Sequence, residues 1–350
     1  RPGMSTDPDT GSDVQPGCLP PRERYDLFGH EAAEQAFAKA WQSGRLHHAW
    51  MITGPRGVGK ASFAWRAARR VLGAAPMEEG GPLGSSPQDP VCKLLEAQAN
   101  PDLLLLRRPW DEKRKRWRAE ITVEEARRAP HFFEMSSGAK GGWRVCIVDS
   151  ADEMNTNAAN ALLKTLEEPP KRGVLFLVTH TPGRLPATIR SRCRRLDLRA
   201  PSVEATAGWL AGISDAGAGD ALAASRLAAG APGRALSLHV SGGVGLARDV
   251  EAIVEKGRSA GEPEMRRLAD RISTKAGEDL RGLFYEALAG ALRNQARRRA
   301  ANGEDVTAWL AAWRELGSLV RDAEALYLDP KQSALAALSL ARDAARKEAA

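Results

Sequence analysis

The chain has 350 residues, 43% of them hydrophobic and 27% charged, and a net charge of +7 at neutral pH. This length and composition predict two or three domains with packed cores. They exclude a helical membrane protein, because no apolar run approaches the ~20 residues that span a bilayer. The positive charge suits a phosphate-rich partner such as nucleic acid, but charge alone favours a solvated surface rich in arginine.

The cysteines are scattered along the chain and form no C-x-x-C pair; they are Cys18, Cys92, Cys146 and Cys193. This spacing argues against a structural zinc site and provides no disulfide framework. The first residues lack the basic start and the apolar stretch of a secretion signal. We therefore predict a cytoplasmic protein that carries no zinc.

In chain order, residues 1–24 are rich in Pro, Asp, Ser and Gly, which predicts a disordered tail. A helical pattern then runs from Leu27 to about Arg45. The apolar run AWMIT at 49–53 ends at a glycine and predicts a buried strand. The helix that follows it is predicted to end at Gly73, a suitable C-terminal cap.

Two further apolar runs, at 102–106 and 143–149, predict buried strands, and the stretches at 174–179 and 193–198 predict a fourth and a fifth strand. A helix over 122–135 is predicted to begin with a capping box formed by Thr122 and Glu125, and another helix ends at the proline pair 169–170. Short strands that alternate with helices predict a parallel sheet covered on both faces.

After Ala200 the patterns are helical, first in short Ala-rich segments over 201–240 and then throughout 248–346. Two apolar stripes predict the core of a helical bundle, although either could face a neighbouring subunit. The first stripe comprises Leu283, Phe284, Ala287, Leu288, Ala291 and Leu292, and the second comprises Val306, Trp309, Leu310, Trp313 and Val320.

A glycine-rich loop follows the first predicted strand. The stretch GPRGVGKA at 54–61 has the G-x-x-x-x-G-K spacing of a phosphate-binding loop, with Gly54, Gly57, Gly59 and Lys60 as candidate nucleotide-binding residues. Backbone amides, the lysine and the N-terminus of the next helix all favour phosphate oxygens. This strand–loop–helix context predicts a P-loop fold.

Two groups that hydrolysis requires are missing from the sequence. Magnesium usually finds a Ser or Thr hydroxyl where this chain has Ala61, and Ser62 is rotated by about 100° around the helix. Asp149 fits the second metal ligand, but Ser150 stands where many ATPases carry a water-orienting Glu. The residues therefore predict a site that does not turn over ATP and binds ATP or ADP weakly or not at all.

Several stretches resemble the clamp-loader subunits of bacterial DNA polymerase III, which are AAA+ proteins. These stretches are LHHAWMITGPRGVGK (46–60), NAANALLKTLEEPP (157–170), IRSRC (189–193), GAPGRAL (230–236) and LYLDPKQSAL (326–335). Together they span about residues 26–338. The resemblance implies an α/β AAA+ domain over 25–200, a helical lid over 201–240 and an all-α collar domain for oligomerisation over 241–350.

The family's motor subunits, tau or gamma, keep the loop hydroxyl and an Asp-Glu pair, so the resemblance places this chain with the non-motor subunits. It implies membership of a five-subunit ring that loads a sliding clamp onto primer-template DNA, with tau or gamma and delta subunits as partners. It also implies that Arg192, in the SRC motif, acts as an arginine finger on a neighbour's ATP, and that Thr179 and Arg234 occupy sensor positions. The alternatives are that Arg192 only pairs with a nearby carboxylate and that Thr179 is a strand-end hydroxyl that caps the next segment.

Many relatives bind zinc through four cysteines between the loop helix and the next strand. Only Cys92 remains in the corresponding segment, 74–101, so we expect no zinc there. We expect side-chain packing alone to hold this segment against the rest of the domain.

Two other functions remain open at this stage. One is a self-sufficient ATPase such as a motor subunit of the same complex, which Ala61 and Ser150 count against. The other is a DNA-binding module without ATP chemistry. Only basic clusters support it, chiefly segment 107–118, where tryptophans could stack on bases. The composition of that segment favours an exposed hairpin kept soluble by its charge.

Overall fold

The computed structural model describes residues 14–138, 142–274, 280–326 and 328–347. The chain divides into two compact units, with the boundary between Leu236 and Ser237. The first unit contains the sheets, and the second is helical. The predicted α/β fold followed by a helical C-terminal region is confirmed, while the finer limits at 24, 200 and 240 stay predictions.

A five-stranded parallel sheet forms the centre of the first unit, in the order β2–β5–β6–β1–β7. A separate antiparallel hairpin joins β3 and β4. Strands β1, β5 and β6 are buried along their whole length, which explains their uninterrupted apolar sequences. The strands are β1 (Ala49–Thr53), β2 (Leu103–Leu106), β3 (Trp110–Asp111), β4 (Arg116–Trp117), β5 (Arg144–Val148), β6 (Gly173–Thr179) and β7 (Arg194–Asp197).

Helices cover both faces of this sheet. They are α1 (Glu31–Gln42), α2 (Lys60–Val71), α3 (Pro90–Glu96), α4 (Val123–Ala126), α5 (Arg128–Glu134), α6 (Thr156–Glu167) and α7 (Ala187–Arg190). Three helices follow β7 in the chain: α8 (Val203–Ile213), α9 (Ala218–Leu227) and α10 (Pro232–Val240). On one face, Phe37 of α1 and Phe63 of α2 pack on Phe176 of the sheet. On the other face, Leu162 of α6 and Ile189 of α7 belong to a second core.

The predicted single helix over 122–135 is wrong, because α4 and α5 are separate helices that meet at Arg127. Pro130 explains the break, since its ring clashes with the carbonyl four residues earlier, at Ala126, and offers no N–H to it. The predicted capping box is also not formed. Thr122 makes no side-chain capping bond, and the Glu125 carboxylate instead pairs with Arg128 at 2.6 Å.

Segment 74–101 is fastened by buried polar contacts as well as by packing, so the expectation of packing alone was incomplete. Arg66 is 2% exposed; it pairs with Glu34 at 2.5 Å and donates to the Gly80 carbonyl at 2.5 Å. The hydroxyl of Tyr25 donates to Glu96 of α3 at 2.5 Å. Cys92 is buried beside this network, and burial raises the pKa of its thiol.

The segment expected to be a disordered tail is described only in part, because residues 1–13 lie outside the described residues. Residues 14–24 make definite contacts. Pro21–Glu23 forms a short 3-10 helix. The guanidinium of Arg69, a buried residue of α2, donates to the carbonyls of Arg22 and Arg24. A buried guanidinium needs acceptors, and this stretch of backbone supplies them.

The second unit consists of α11 (Gly243–Lys256), α12 (Glu262–Ser273), α13 (Arg281–Ala301), α14 (Thr307–Ala325) and α15 (Pro330–Lys347). The stripe predicted on α13 is largely buried, as expected. The stripe predicted on α14 is only partly correct. Trp309, Ala312 and Leu316 are buried, whereas Leu310 and Trp313 are 39% and 41% exposed. Among the described residues, the helices are all too short or too polar to cross a membrane.

Candidate functional site

The carboxyl edge of the parallel sheet collects most of the predicted site residues. Strand β1 ends at Thr53, which lies directly opposite Thr179 at the end of β6. Val148, the last residue of β5, pairs with Leu177 of β6, so Asp149 emerges at the same edge. Neighbouring strands lie about 4.8 Å apart, which brings the loop after β1, Asp149 and Thr179 side by side. Ligands of open parallel sheets bind at such an edge.

The loop at 54–61 has the backbone that a phosphate cradle requires. Gly54, Gly57 and Gly59 have φ angles of 145°, 76° and 107°, in the region that favours glycine. A Cβ atom at Gly57 would lie 2.5 Å from the backbone nitrogen of Arg234, so any side chain there would collide with α10. Gly59 ends the loop as the N-cap of α2.

Lys60 is folded back onto its own loop. Its side chain is 3% exposed, and Nζ donates to the carbonyl oxygens of Gly54 and Pro55, both at 2.7 Å. These two carbonyls accept the hydrogen bonds that a P-loop lysine otherwise donates to phosphate oxygens. In this arrangement a triphosphate would have to displace the two loop bonds before it could engage the lysine.

The residues after β5 fit a degraded hydrolytic centre. Asp149 is held at the sheet edge by its backbone N–H, which donates to the Leu106 carbonyl at 2.8 Å. Ser150, at the position of the water-orienting Glu, is fully buried with a φ of 62°. Asp152 lies beyond it and accepts a hydrogen bond from the His180 backbone at 3.1 Å. Asp149 and Asp152 are thus both hydrogen-bonded at the sheet edge. Between them, position 150 carries a hydroxyl and not a carboxylate.

The hydroxyl of Thr179 is buried without a hydrogen bond to the described residues. The residue is fully buried at the end of β6, and its hydroxyl has no hydrogen-bond partner in the part of the chain that the structure describes. Burying a hydroxyl without a partner costs about 1–3 kcal/mol. Its place beside the loop suits the sensor position that the sequence resemblance implied.

The first turn of α10 lies directly against the loop. The Gly233 N–H donates to the Gly57 carbonyl at 2.8 Å, and Arg234 follows in the same turn. On the other side of the loop, His30 Nε2 lies 2.8 Å from the Val58 carbonyl. Burial lowers the pKa of His30, and because a carbonyl oxygen can only accept, Nε2 is the donor in this bond. The loop is therefore clamped by backbone and side-chain bonds from two segments.

Arg192 lies away from this site. It precedes β7, where Arg194 pairs with Trp50, four residues before Gly54. At about 3.3 Å per residue, Thr53 at the carboxyl edge lies about 10 Å beyond the level of Arg194, so Arg192, which precedes Arg194 in the chain, lies on the amino side of the sheet. The structure thus separates Arg192 from the P-loop residues Gly54 and Lys60, which an arginine that served its own nucleotide would have to approach.

The guanidinium of Arg192 is at the surface and is engaged by its own domain. It pairs with Glu167 at the end of α6 at 3.0 Å, and it donates to the Thr188 carbonyl at 2.9 Å. The Arg192 and Glu167 side chains are 36% and 52% exposed. Sequence reasoning had named a nearby carboxylate only in general terms. Glu167 is that carboxylate, and its place in the LEEPP stretch was the available signal.

Comparison with known proteins identifies the family. Residues 29–202 match the family model of "DNA polymerase III, delta subunit". The chain is 37% identical over 164 residues to DNA polymerase III subunit delta' of Pseudomonas aeruginosa, an alignment that covers 47% of each chain. The chain belongs to the DNA polymerase III clamp-loader family, delta prime type. The resemblance proposed from the sequence is thereby confirmed.

The curated relatives named here match this chain over about half of its length. The chain spans about half the length of the delta prime relative, and it is 33% identical over 187 residues to subunit tau of Escherichia coli, 53% of this chain and 26% of tau. A solved structure of a DNA polymerase III gamma subunit-related protein from Thermotoga maritima covers 86% of this chain and 95% of its own, with a TM-score of 0.45 and 19% identity. The family model reaches the P-loop, Asp149, Thr179 and Arg192 but ends before Arg234.

Proposed function

We propose that this chain is a non-hydrolysing clamp-loader subunit of the DNA polymerase III holoenzyme that supplies Arg192 to the ATP site of a neighbouring subunit. Tau or gamma and delta subunits are its partners, and the sliding clamp and primer-template DNA are the substrates of the assembled complex. The observation that carries this proposal is the position of Arg192. It is a surface arginine at the amino end of β7, remote from the P-loop of its own chain.

The chemistry of an arginine finger fits this position. A guanidinium is permanently charged and forked, which suits the γ-phosphate oxygens and the charge that develops during transfer. Its partner Glu167 is half exposed, and exposed ion pairs are worth about 0–1 kcal/mol. A triphosphate presented by a neighbouring subunit could therefore replace Glu167 at little cost.

The chain's own site supports the absence of turnover. Ala61 offers no hydroxyl to magnesium, Ser150 offers no carboxylate to water, and Lys60 is bonded to loop carbonyls. A metal ligand and the water-orienting acid are both groups on which phosphoryl transfer to water depends. Weak nucleotide binding without hydrolysis remains compatible with the intact glycines of the loop.

Reconstitution with the motor and delta subunits tests the proposal. Arg192→Ala should leave assembly intact and reduce ATP turnover by the complex, since loss of a finger costs ~10³-fold or more at one site, partly masked by the other sites. Arg190→Ala is the matched control, because it removes an exposed arginine two residues away. Turnover that is unchanged by Arg192→Ala, or equally reduced by Arg190→Ala, would remove the finger assignment.

A further inference from the structure

One short segment holds most of the chain's excess charge. Residues 107–118 contain seven basic and two acidic residues, a net charge of +5 in a chain whose total is +7. The structure folds this segment into the hairpin β3–β4, whose strands lie about 4.8 Å apart. The consecutive cations Lys113, Arg114 and Lys115 repel one another, since the Debye length is about 8–10 Å.

The base of the hairpin is fixed to the first unit by buried contacts. Arg108 is 1% exposed and pairs with Glu153 at 2.7 Å. Trp117 is 6% exposed and lies beneath the guanidinium of Arg107, 5.2 Å from the ring centre. The prediction of an exposed hairpin is therefore only partly correct, because Arg108 and Trp117 at its base are buried. A basic segment that served solubility alone would not need a buried anchor.

The tip of the hairpin is preorganised and exposed. The carboxylate of Asp111 accepts the backbone N–H groups of Lys113 and Arg114, at 3.1 and 3.0 Å, which fixes the turn. Lys113, Arg114 and Lys115 are all exposed. Lys115 pairs with Glu112 at 2.9 Å, but both side chains are 74% exposed, so solvent screens this pair and a stronger anion can replace Glu112.

The aromatic residues act in the hairpin's own packing. Trp110 and Trp117 meet edge to face, with ring centres 5.4 Å apart at 74°. Trp117 is buried, and Trp110 is half-buried. This geometry disfavours the stacking on bases that the sequence had left open, and it leaves the exposed cationic tip as the part that can reach a ligand.

We propose that the tip of this hairpin, Lys113–Lys115, is a contact site for the phosphate backbone of nucleic acid, without selection of base sequence. A row of phosphates offers one negative charge per ~1.7 Å of duplex, a density that relieves the repulsion within the hairpin. Lysine and arginine side chains on an exposed turn can contact phosphate oxygens, and such contacts carry no information on base sequence. The choice of nucleic acid over another polyanion rests on the proposed clamp-loader function.

Binding of the full chain to a short fluorescein-labelled duplex of arbitrary sequence, followed by fluorescence anisotropy between about 50 and 200 mM salt, tests this site. The triple variant Lys113→Ala/Arg114→Ala/Lys115→Ala should bind roughly tenfold or more weakly at low salt. Its log–log slope against salt should fall by about three, roughly one for each cation removed. Trp110→Leu should leave affinity within about twofold, because the ring does not stack on bases.

The matched control is Arg293→Ala/Arg297→Ala/Arg298→Ala, which removes the same charge from exposed positions of α13 and inserts a strong helix former. It should bind like the wild type. Equal losses in the two triple variants would show that net charge alone drives binding, and no loss in the hairpin variant would assign the tip to another partner, such as an acidic protein. Either result overturns the proposal. Arg192→Ala should not affect this assay, so failure of the finger and failure of the hairpin are distinguishable.

Discussion

At the scale of single residues, two cations show how environment separates similar groups. Lys60 is buried and donates to two carbonyls of its own loop, whereas Arg192 is at the surface and pairs with a half-exposed carboxylate. Buried hydrogen bonds are costly to leave unmade, while exposed ion pairs exchange at little cost. A ligand would therefore displace the hydrogen bonds of Lys60 with difficulty, whereas the ion pair of Arg192 can be exchanged more easily.

The pair between Arg192 and Glu167 leads to a test of that exchange. In the reconstituted complex, Glu167→Gln should raise ATP turnover at subsaturating ATP by up to about fivefold, because about 1 kcal/mol of competition for the guanidinium is removed. Steady-state ATPase measurements as a function of ATP concentration will show the change.

Glu168→Gln is the matched control, since Glu168 is the adjacent exposed carboxylate. It should leave turnover unchanged. A decrease with Glu167→Gln would mean that Glu167 holds Arg192 in its working orientation, which contradicts the role of a competitor.

At the scale of elements, two helices depart from their predicted patterns for different reasons. Pro130 divides the helix that was predicted as continuous over 122–135, a local backbone effect. On α14 the inward face runs through Trp309, Ala312 and Leu316, while Leu310 and Trp313 point outward. The guanidinium of Arg299 lies 5.1 Å from the ring centre of Trp309 and helps to fix which face is buried.

The burial pattern of α14 predicts unequal costs for two chemically identical substitutions. Leu316→Ala should destabilise the second unit by about 2–5 kcal/mol, the range for a truncated core leucine. Leu310→Ala should stay within about 0.5 kcal/mol, as for an exposed position. Thermal unfolding followed by circular dichroism measures both, and similar losses for the two variants would contradict the assigned faces.

At the scale of the whole molecule, the first unit holds every candidate site residue, and the second is a helical unit with its own core. Within the first unit, the first turn of α10 and the segment around His30 contact the same loop from different directions. The loop is therefore part of the structural framework of this unit.

This arrangement predicts the behaviour of the isolated chain towards ATP. With magnesium present, phosphate release should stay at background, and Lys60→Ala should match the wild type, because Ala61 and Ser150 leave the reaction without two of its groups. A coupled phosphate assay makes the comparison. Turnover that Lys60→Ala abolishes would instead favour the self-sufficient ATPase, the alternative kept open by similarity to tau.

The sequence by itself determined the parallel sheet and the degraded loop. Uninterrupted apolar runs indicate strands buried on both faces. The glycine and lysine spacing of the loop, and Ala61 in place of a hydroxyl residue, can be read directly from the sequence. Only the tertiary structure decided that Lys60 is bonded to its own loop, that Glu167 holds Arg192, that Arg108 anchors a charged hairpin and which face of α14 is buried. Apart from the Lys60 bonds, which stay within one loop, these features depend on contacts between residues far apart in the chain, and no periodicity within one segment encodes them.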